Sequence, residues 1–150
     1  MKFINAIIGG FTGAIALNLL HETVRRYVSK APRVDLIGEE ALSKSISAVG
    51  IKPPEGKDLY FATLAGDVLS NGLYYSIIPV GNPRYIWPRA AVLGLSAGFG
   101  ALKLTAPMGL NDKPVNRTEK TKALTVVWYL FGALVAAGVF QRLQNRSADL

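Results

Sequence analysis

The sequence predicts an all-α polytopic membrane protein: four transmembrane helices with a short amphipathic helix in the first connection, forming a single membrane domain over residues 1–150. Three observations predict it. The apolar stretches Phe3–Leu20, Leu59–Val80, Trp87–Met108 and Ala123–Phe140 are each long enough, as helices, to cross a hydrocarbon core of ~30 Å. Hydrophobic residues make up 50% of the chain, and the polar segment His21–Asp58 holds the mean hydropathy to +0.27. Small residues recur at helical spacing in every span, as helix packing in lipid requires.

The first span carries Ala6, Gly10 and Ala14, a row that continues in steps of four to Asn18 and Glu22, with Gly9 and Gly13 alongside. Lys2, the apolar run Phe3–Gly13 and Ala14-Ile15-Ala16 resemble a signal peptide, but helical patterning continues past Ala16, so an uncleaved span is expected. The segment His21–Val28 extends this helix beyond the membrane surface until Pro32 stops it. Asp35 then reads as the N-cap of a helix over Asp35–Val49, with Glu39 and Glu40 early, Ile37, Leu42, Ile46 and Val49 near one face, and Gly50 at the end. That helix lies on the membrane surface or packs over the ends of the bundle. Lys52–Gly56 is a break.

The second span has Ala62, Gly66 and Ser70 as its small-residue row. In the second connection, Tyr85 and Trp87 stand where interfacial aromatics belong, and Pro88 fits the first turn of the third span. The third span offers Ala90, Gly94 and Gly98. The fourth offers Gly132 with Ala136 and Ala133 with Ala137, and Asn116-x-x-Glu119 resembles a capping box at its start. These rows are expected to pack the four helices within one chain.

With no cysteine and one histidine, the chain has no route to disulfides, iron–sulfur ligation, thiol catalysis or a histidine-based metal cluster. No cofactor or metal motif is present. The net charge of +7 sits in the connections, which fits membrane topology and contact with anionic membrane lipids better than nucleic acid. One side collects Arg25, Arg26, Lys30, Arg33, Lys44, Lys52 and Lys57 with Lys113, Arg117, Lys120 and Lys122. The other has Lys2, Arg84, Arg89, Arg142 and Arg146. The excess predicts cytoplasmic first and third connections and both termini outside. Arg25, Arg26, Lys30 and Arg33 are the candidate anionic-lipid contacts.

The candidate functional feature is an intramembrane polar cluster. Thr63, Asp67, Asn71 and Tyr75 are four apart and share a face. Antiparallel topology is expected to bring Asp67 and Asn71 to the depth of Lys103 and of Asn18, His21 and Glu22. A charged Asp67 there must be neutralised, paired or open to water, and Lys103 is the expected partner. Glu22 with Arg26, and His21 with Arg25, are spaced for helix-end contacts.

The runs Leu19–Arg26 and Ala31–Gly38, with Gly66-Asp67 and Ser70-Asn71-x-x-Tyr74-Tyr75, resemble uncharacterised small bacterial integral membrane proteins without a named activity. The resemblance implies a bacterial inner-membrane location. Small multidrug exporters also have four short spans, but their acidic residue lies inside the first helix, whereas Glu22 lies at its end. The expected function is non-enzymatic: a scaffold, lipid-interacting factor or accessory subunit of a membrane complex, alone or as a homo-oligomer. The alternative is a small oligomeric transporter or channel using Asp67 and Lys103. A lipid-acting enzyme with His21 and Glu22 as acid and base ranks third, because no nucleophile is identifiable.

Overall fold

The computed structural model describes residues 2–148. They form six α-helices and no strand: α1 (Lys2–Tyr27), α2 (Val34–Ala48), α3 (Gly56–Tyr75), α4 (Ile86–Lys103), α5 (Lys113–Asn116) and α6 (Glu119–Ala148), with a 3-10 turn at Pro83–Tyr85. Helices α1 and α6 are long and apolar enough to cross a membrane. The other two expected spans are shorter or more polar than the sequence suggests. Helix α3 ends at Tyr75 rather than Val80 and carries Lys57, Asp58 and Asp67, while α4 ends at Lys103 rather than Met108 and carries Arg89.

The helices pack antiparallel in the order α3, α1, α6, α4, while α2 covers one end and leans on α3 and α5. Along α1 and α6, Asn5 Nδ2 donates to Gln144 Oε1 at 2.8 Å, Gly9 faces Ala136 and Phe140, Gly13 faces Gly132 and Ala136, and His21 lies against Trp128. Helix α4 meets α6 through Gly94 against Leu130 and Gly98 against Val126. Small residues let these backbones approach closely, so packing and polar contacts replace a core of large side chains.

Helix α3 departs from the expected pattern. Ala62, Gly66 and Ser70 are exposed, and nothing lies near a Cβ built on Gly66. The buried face is instead Thr63, Gly72 and Tyr75, where Gly72 lies against the Phe11 ring and the Tyr75 hydroxyl finds an acceptor inside the bundle. Tyr75 is fully buried and its hydroxyl donates to the Tyr129 carbonyl at 2.9 Å, while Tyr74 donates to the Leu93 carbonyl at 3.1 Å. Replacing Tyr75 with Phe is expected to cost about 1 kcal/mol, measurable as a lowered unfolding midpoint in mixed detergent micelles.

The amphipathic helix belongs to the bundle end. Glu40 accepts from the Asn111 backbone N–H at 2.8 Å, and Lys44 donates to the Gly109 carbonyl. Arg33 N–H donates to the Pro114 carbonyl, and Arg117 Nη2 to those of Ser29 and Ala31. Gly50 closes α2 with φ at 78°, a left-handed conformation that favours glycine, as its place in the sequence predicts.

Two expected caps are different. Arg33, not Asp35, occupies the N-cap of α2, and it makes no side-chain cap bond. The start of α6 is capped by Thr118, whose Oγ1 accepts from Thr121 N–H at 3.1 Å. Asn116 instead donates to the Leu102 carbonyl and to Asp112, and Glu119 pairs with Lys122.

Candidate functional site

The polar centre is built where α1, α2, α3 and α6 converge below the α2 end. Helix α1 supplies Asn18, His21, Glu22 and Arg25; the tight turn after Tyr27 returns Arg33 and Asp35 over them; α3 contributes Tyr60, Thr63, Asp67 and Asn71. Trp128 and Tyr129 of α6 close the back.

Asp35 is the hub. Only 6% of it is exposed. Arg33 grips it through Nη2 to Oδ2 at 2.6 Å and Nε to Oδ1 at 2.9 Å, Arg25 Nη1 reaches Oδ2 at 3.1 Å, and His21 Nε2 stands 3.4 Å from Oδ1. Burial pushes the Asp35 carboxyl up, but the His21 and Arg33 side chains against it outweigh burial and hold it far below the usual carboxylate range. The hydrogen bond to Asp35 likewise holds the Arg33 guanidinium above its ordinary value.

Glu22 bonds Arg25 Nη2 at 2.7 Å, three residues on, rather than Arg26. Arg25 also sits over the Tyr60 ring at 5.6 Å. His21 and Arg25, four residues apart, both approach the Asp35 carboxylate. The His21 ring lies tilted against Trp128, with centroids 5.2 Å apart.

Asn18, His21, Asp67 and Asn71 line one small cavity of about 20 Å³; Asn18, His21, Glu22, Asp35 and Asp67 line an adjoining one of about 10 Å³. The expected cluster therefore assembles except for Lys103. That residue is exposed in a separate cleft of about 920 Å³ beside Asp112, Glu119 and Lys122. The reason is topological: α4 packs along α6 rather than α3, and Lys103 is its last residue, whereas Asp67 lies eleven residues into α3, roughly 16 Å along its axis. Among the described residues no cation pairs with the Asp67 carboxylate. Asp67 also forms part of the wall of an open groove of about 580 Å³ between α3 and α4, with Ser70, Asn71, Tyr74 and Ser96.

Of the four candidate lipid contacts, Arg25 and Arg33 are committed to Asp35 and Glu22. Arg26 and Lys30 remain exposed.

The chain matches no protein-family model, no curated protein and no solved structure. Its chemistry is read from the site alone. Sequence reasoning missed Asp35, Tyr60, Trp128 and Tyr129. Arg33-x-Asp35 just after Pro32 carried a signal for the first, since a tight turn beyond α1 must return the chain to the helix it has left. No local pattern marks the aromatic residues, which are brought in by the α1 crossings with α3 and α6.

Among the described residues no three His, Asp or Glu side chains converge to hold a metal ion. What the arrangement does offer is an acid, an imidazole and two amides around water-sized spaces, with an anchored ion-pair cluster above them.

Proposed function

We propose that the chain is a non-enzymatic, four-helix integral membrane protein that acts as a scaffold, lipid-interacting factor or accessory subunit of a membrane complex. The observation that carries this reading is the inverted distribution of side-chain size. The buried positions of the packed helices are mainly small or polar, with Ala14, Ala90, Ala133 and Ala137 fully covered. Large apolar groups face outward on all four long helices: Phe3 is 77% exposed, Phe61 61%, Val92 61% and Val127 54%. Water would penalise that surface, whereas acyl chains solvate it. Helices of 18 and 20 residues, the lengths of α4 and α3, span roughly 27 and 30 Å, so they join α1 and α6 across the hydrocarbon in this reading. The basic α2 end lies in the cytoplasm, with Arg26 and Lys30 placed for anionic headgroups.

The chain contains no cysteine, so each thiol introduced is its only one. Full-length chain is expected to stay in the membrane pellet through alkaline carbonate and to leave it with detergent. Ser45→Cys and Asn111→Cys are expected to label from the cytoplasmic side and Asn82→Cys from the other. Recovery as a detergent-free monomer, or labelling of all three from one side, defeats the four-span reading.

The unpaired Asp67 carboxylate facing a groove supports a second reading, a small oligomeric transporter or channel. It now rests on Asp67 and Asn71 without Lys103. Flux into proteoliposomes that disappears in Asp67→Asn would favour it over the scaffold, and absence of flux in the parent chain removes it.

A further inference from the structure

Three buried side-chain atoms stand without a hydrogen-bond partner among the described residues, His21 Nε2, Arg25 Nε and Thr63 Oγ1; His21 Nε2 has only the 3.4 Å approach of Asp35 Oδ1, and the side chains of His21 and Thr63 line the same space. His21 Nε2 and Thr63 Oγ1 belong to side chains more than nine-tenths buried, at 6% and 4% exposure. Both residues line the cavity of about 10 Å³ between α1, α2 and α3, together with Asn18 and Asp67. Asn18 spends its Nδ2 on the Ala14 carbonyl at 3.0 Å, which leaves its Oδ1 as an acceptor. Beside it lies the cavity of about 20 Å³, bounded by Asn18, His21, Asp67 and Asn71. A buried water needs roughly 10–15 Å³ and two to four polar partners, and these two spaces supply both. Buried polar groups are left unpaired only at a cost of about 1–3 kcal/mol each, so two orphans converging on one water-sized space point to an occupant.

We propose that this space is a water-binding site joining Asp67 to His21, and that the three form a proton relay between the α3–α4 groove and the Asp35 cluster. The ligand is water, and the species it passes is the proton. In one transfer the Asp67 carboxyl O–H breaks, the bridging water takes that proton while releasing another, and an N–H bond forms at His21 Nε2. Asp67 is left as a carboxylate and His21 as an imidazolium beside the Asp35 carboxylate. No net charge is created in the bundle, and the reverse transfer restores the start.

The surroundings favour a transferable rather than a trapped proton. His21 is faced by Glu22 and Arg25 from its own helix, Asp35 from α2, Tyr60 and Asp67 from α3, and Trp128 and Tyr129 from α6, with Arg33 held on the far side of Asp35. Both arginines in this set are bound to carboxylates, so neither quenches Asp67. Asp67 also opens to the groove of about 580 Å³ with Ser70 and Asn71, which gives the relay an outer mouth. Thr63 and Asn18 hold the water without titrating, and act as positioning residues. The site goes beyond the scaffold reading and does not depend on which face of a membrane α2 occupies.

The single histidine makes the test direct, because ring labelling with ¹⁵N yields one imidazole. The full chain is placed in phosphatidylcholine nanodiscs, and exchange of the His21 ring proton with bulk water is measured at fixed pH. Asp67→Asn removes the acid and Thr63→Val removes a ligand of the water, and each is expected to slow exchange at least about tenfold, within the range of general acid–base assistance. Asp67→Glu keeps an acid and is expected to exchange within about threefold of the parent, while Ser45→Ala, exposed on α2 and outside these cavities, leaves the rate alone. Equal rates in the parent, Asp67→Asn and Thr63→Val overturn the relay. If Asp67→Asn does not fold, Thr63→Val against Ser45→Ala decides alone. Failure of the membrane reading would appear in extraction and labelling, not in these rates.

Discussion

Asp35→Asn is expected to destabilise the protein by about 3 kcal/mol, one of the largest losses from a single polar substitution in this chain. The carboxylate neutralises Arg33 and shares Arg25 with Glu22, at the point where α2 closes over α1. An amide of the same shape keeps the packing but leaves two guanidinium groups and an imidazole facing an uncharged neighbour. Breaking a buried ion pair by removing one partner costs about 3–5 kcal/mol in general. The lower end applies here, because Arg33 is 38% exposed and Arg25 23%, and both regain solvent in part. Arg33→Ala is expected to cost less, about 1 kcal/mol, since the more exposed partner is removed and Arg25 still answers Asp35. Unfolding in mixed micelles, followed by the loss of helical circular dichroism, measures both. Equal stability of Asp35→Asn and the parent chain would show that the cluster contributes nothing to closure.

The same carboxylate gives the bundle an acid limit. Its folded-state value lies below the ordinary one of about 3.9, so the folded protein binds fewer protons there than the unfolded chain. Stability from Asp35 is therefore fully present above about pH 4 and drains away as pH falls toward the depressed folded value. The parent chain is expected to lose stability steeply below pH 4, and Asp35→Asn to show a flatter profile over the same interval. A parallel pair of profiles would assign the acid limit to other carboxylates.

The helical class, the place of α2, its glycine stop and the convergence of Asn18, His21, Glu22, Asp67 and Asn71 were legible in the sequence. Periodicity fixes which residues share a helix face, and antiparallel hairpins fix which ends meet. Neighbour choice is another matter. Lys103 had the right end of the bundle and the wrong neighbour, because hydropathy and charge say nothing about whether α4 packs on α3 or on α6. Asp35 looked like a cap because a helix start and an acidic residue coincide there. Its role as a buried hub depends on the turn that returns it to Arg25, a tertiary fact. The extent of α3 and α4 was overestimated for a simpler reason: apolar residues continue beyond Tyr75 and Lys103 as turns, and a hydropathy window does not distinguish these from helix.

Two glycines in rows of the same spacing are expected to respond to alanine with opposite signs. Gly98 ends the row Ala90, Gly94, Gly98 on α4, and Gly66 centres the row Ala62, Gly66, Ser70 on α3. A Cβ on Gly98 would stand 2.7 Å from Val126 Cα, a backbone atom that no rotamer change can move. The α4 and α6 axes must separate, which costs about 2–3 kcal/mol through strain and lost contact along the seam. Gly94 repeats the geometry, with its Cβ position 2.8 Å from Leu130 Cα, so a shift at one site cannot be absorbed at the next. A Cβ on Gly66 meets nothing within 4 Å, and alanine there removes only the excess freedom of glycine in a helix, a gain of about 0.5–1 kcal/mol. Unfolding midpoints in mixed micelles should fall for Gly98→Ala and rise for Gly66→Ala. A fall for both would mean that the α3 row is covered by a second copy of the chain, and dilution of the protein in detergent would then erase the Gly66→Ala loss while leaving that of Gly98→Ala. Spacing alone thus identifies rows of small residues, and the backbone lying opposite each row decides whether a methyl group there costs stability or adds to it.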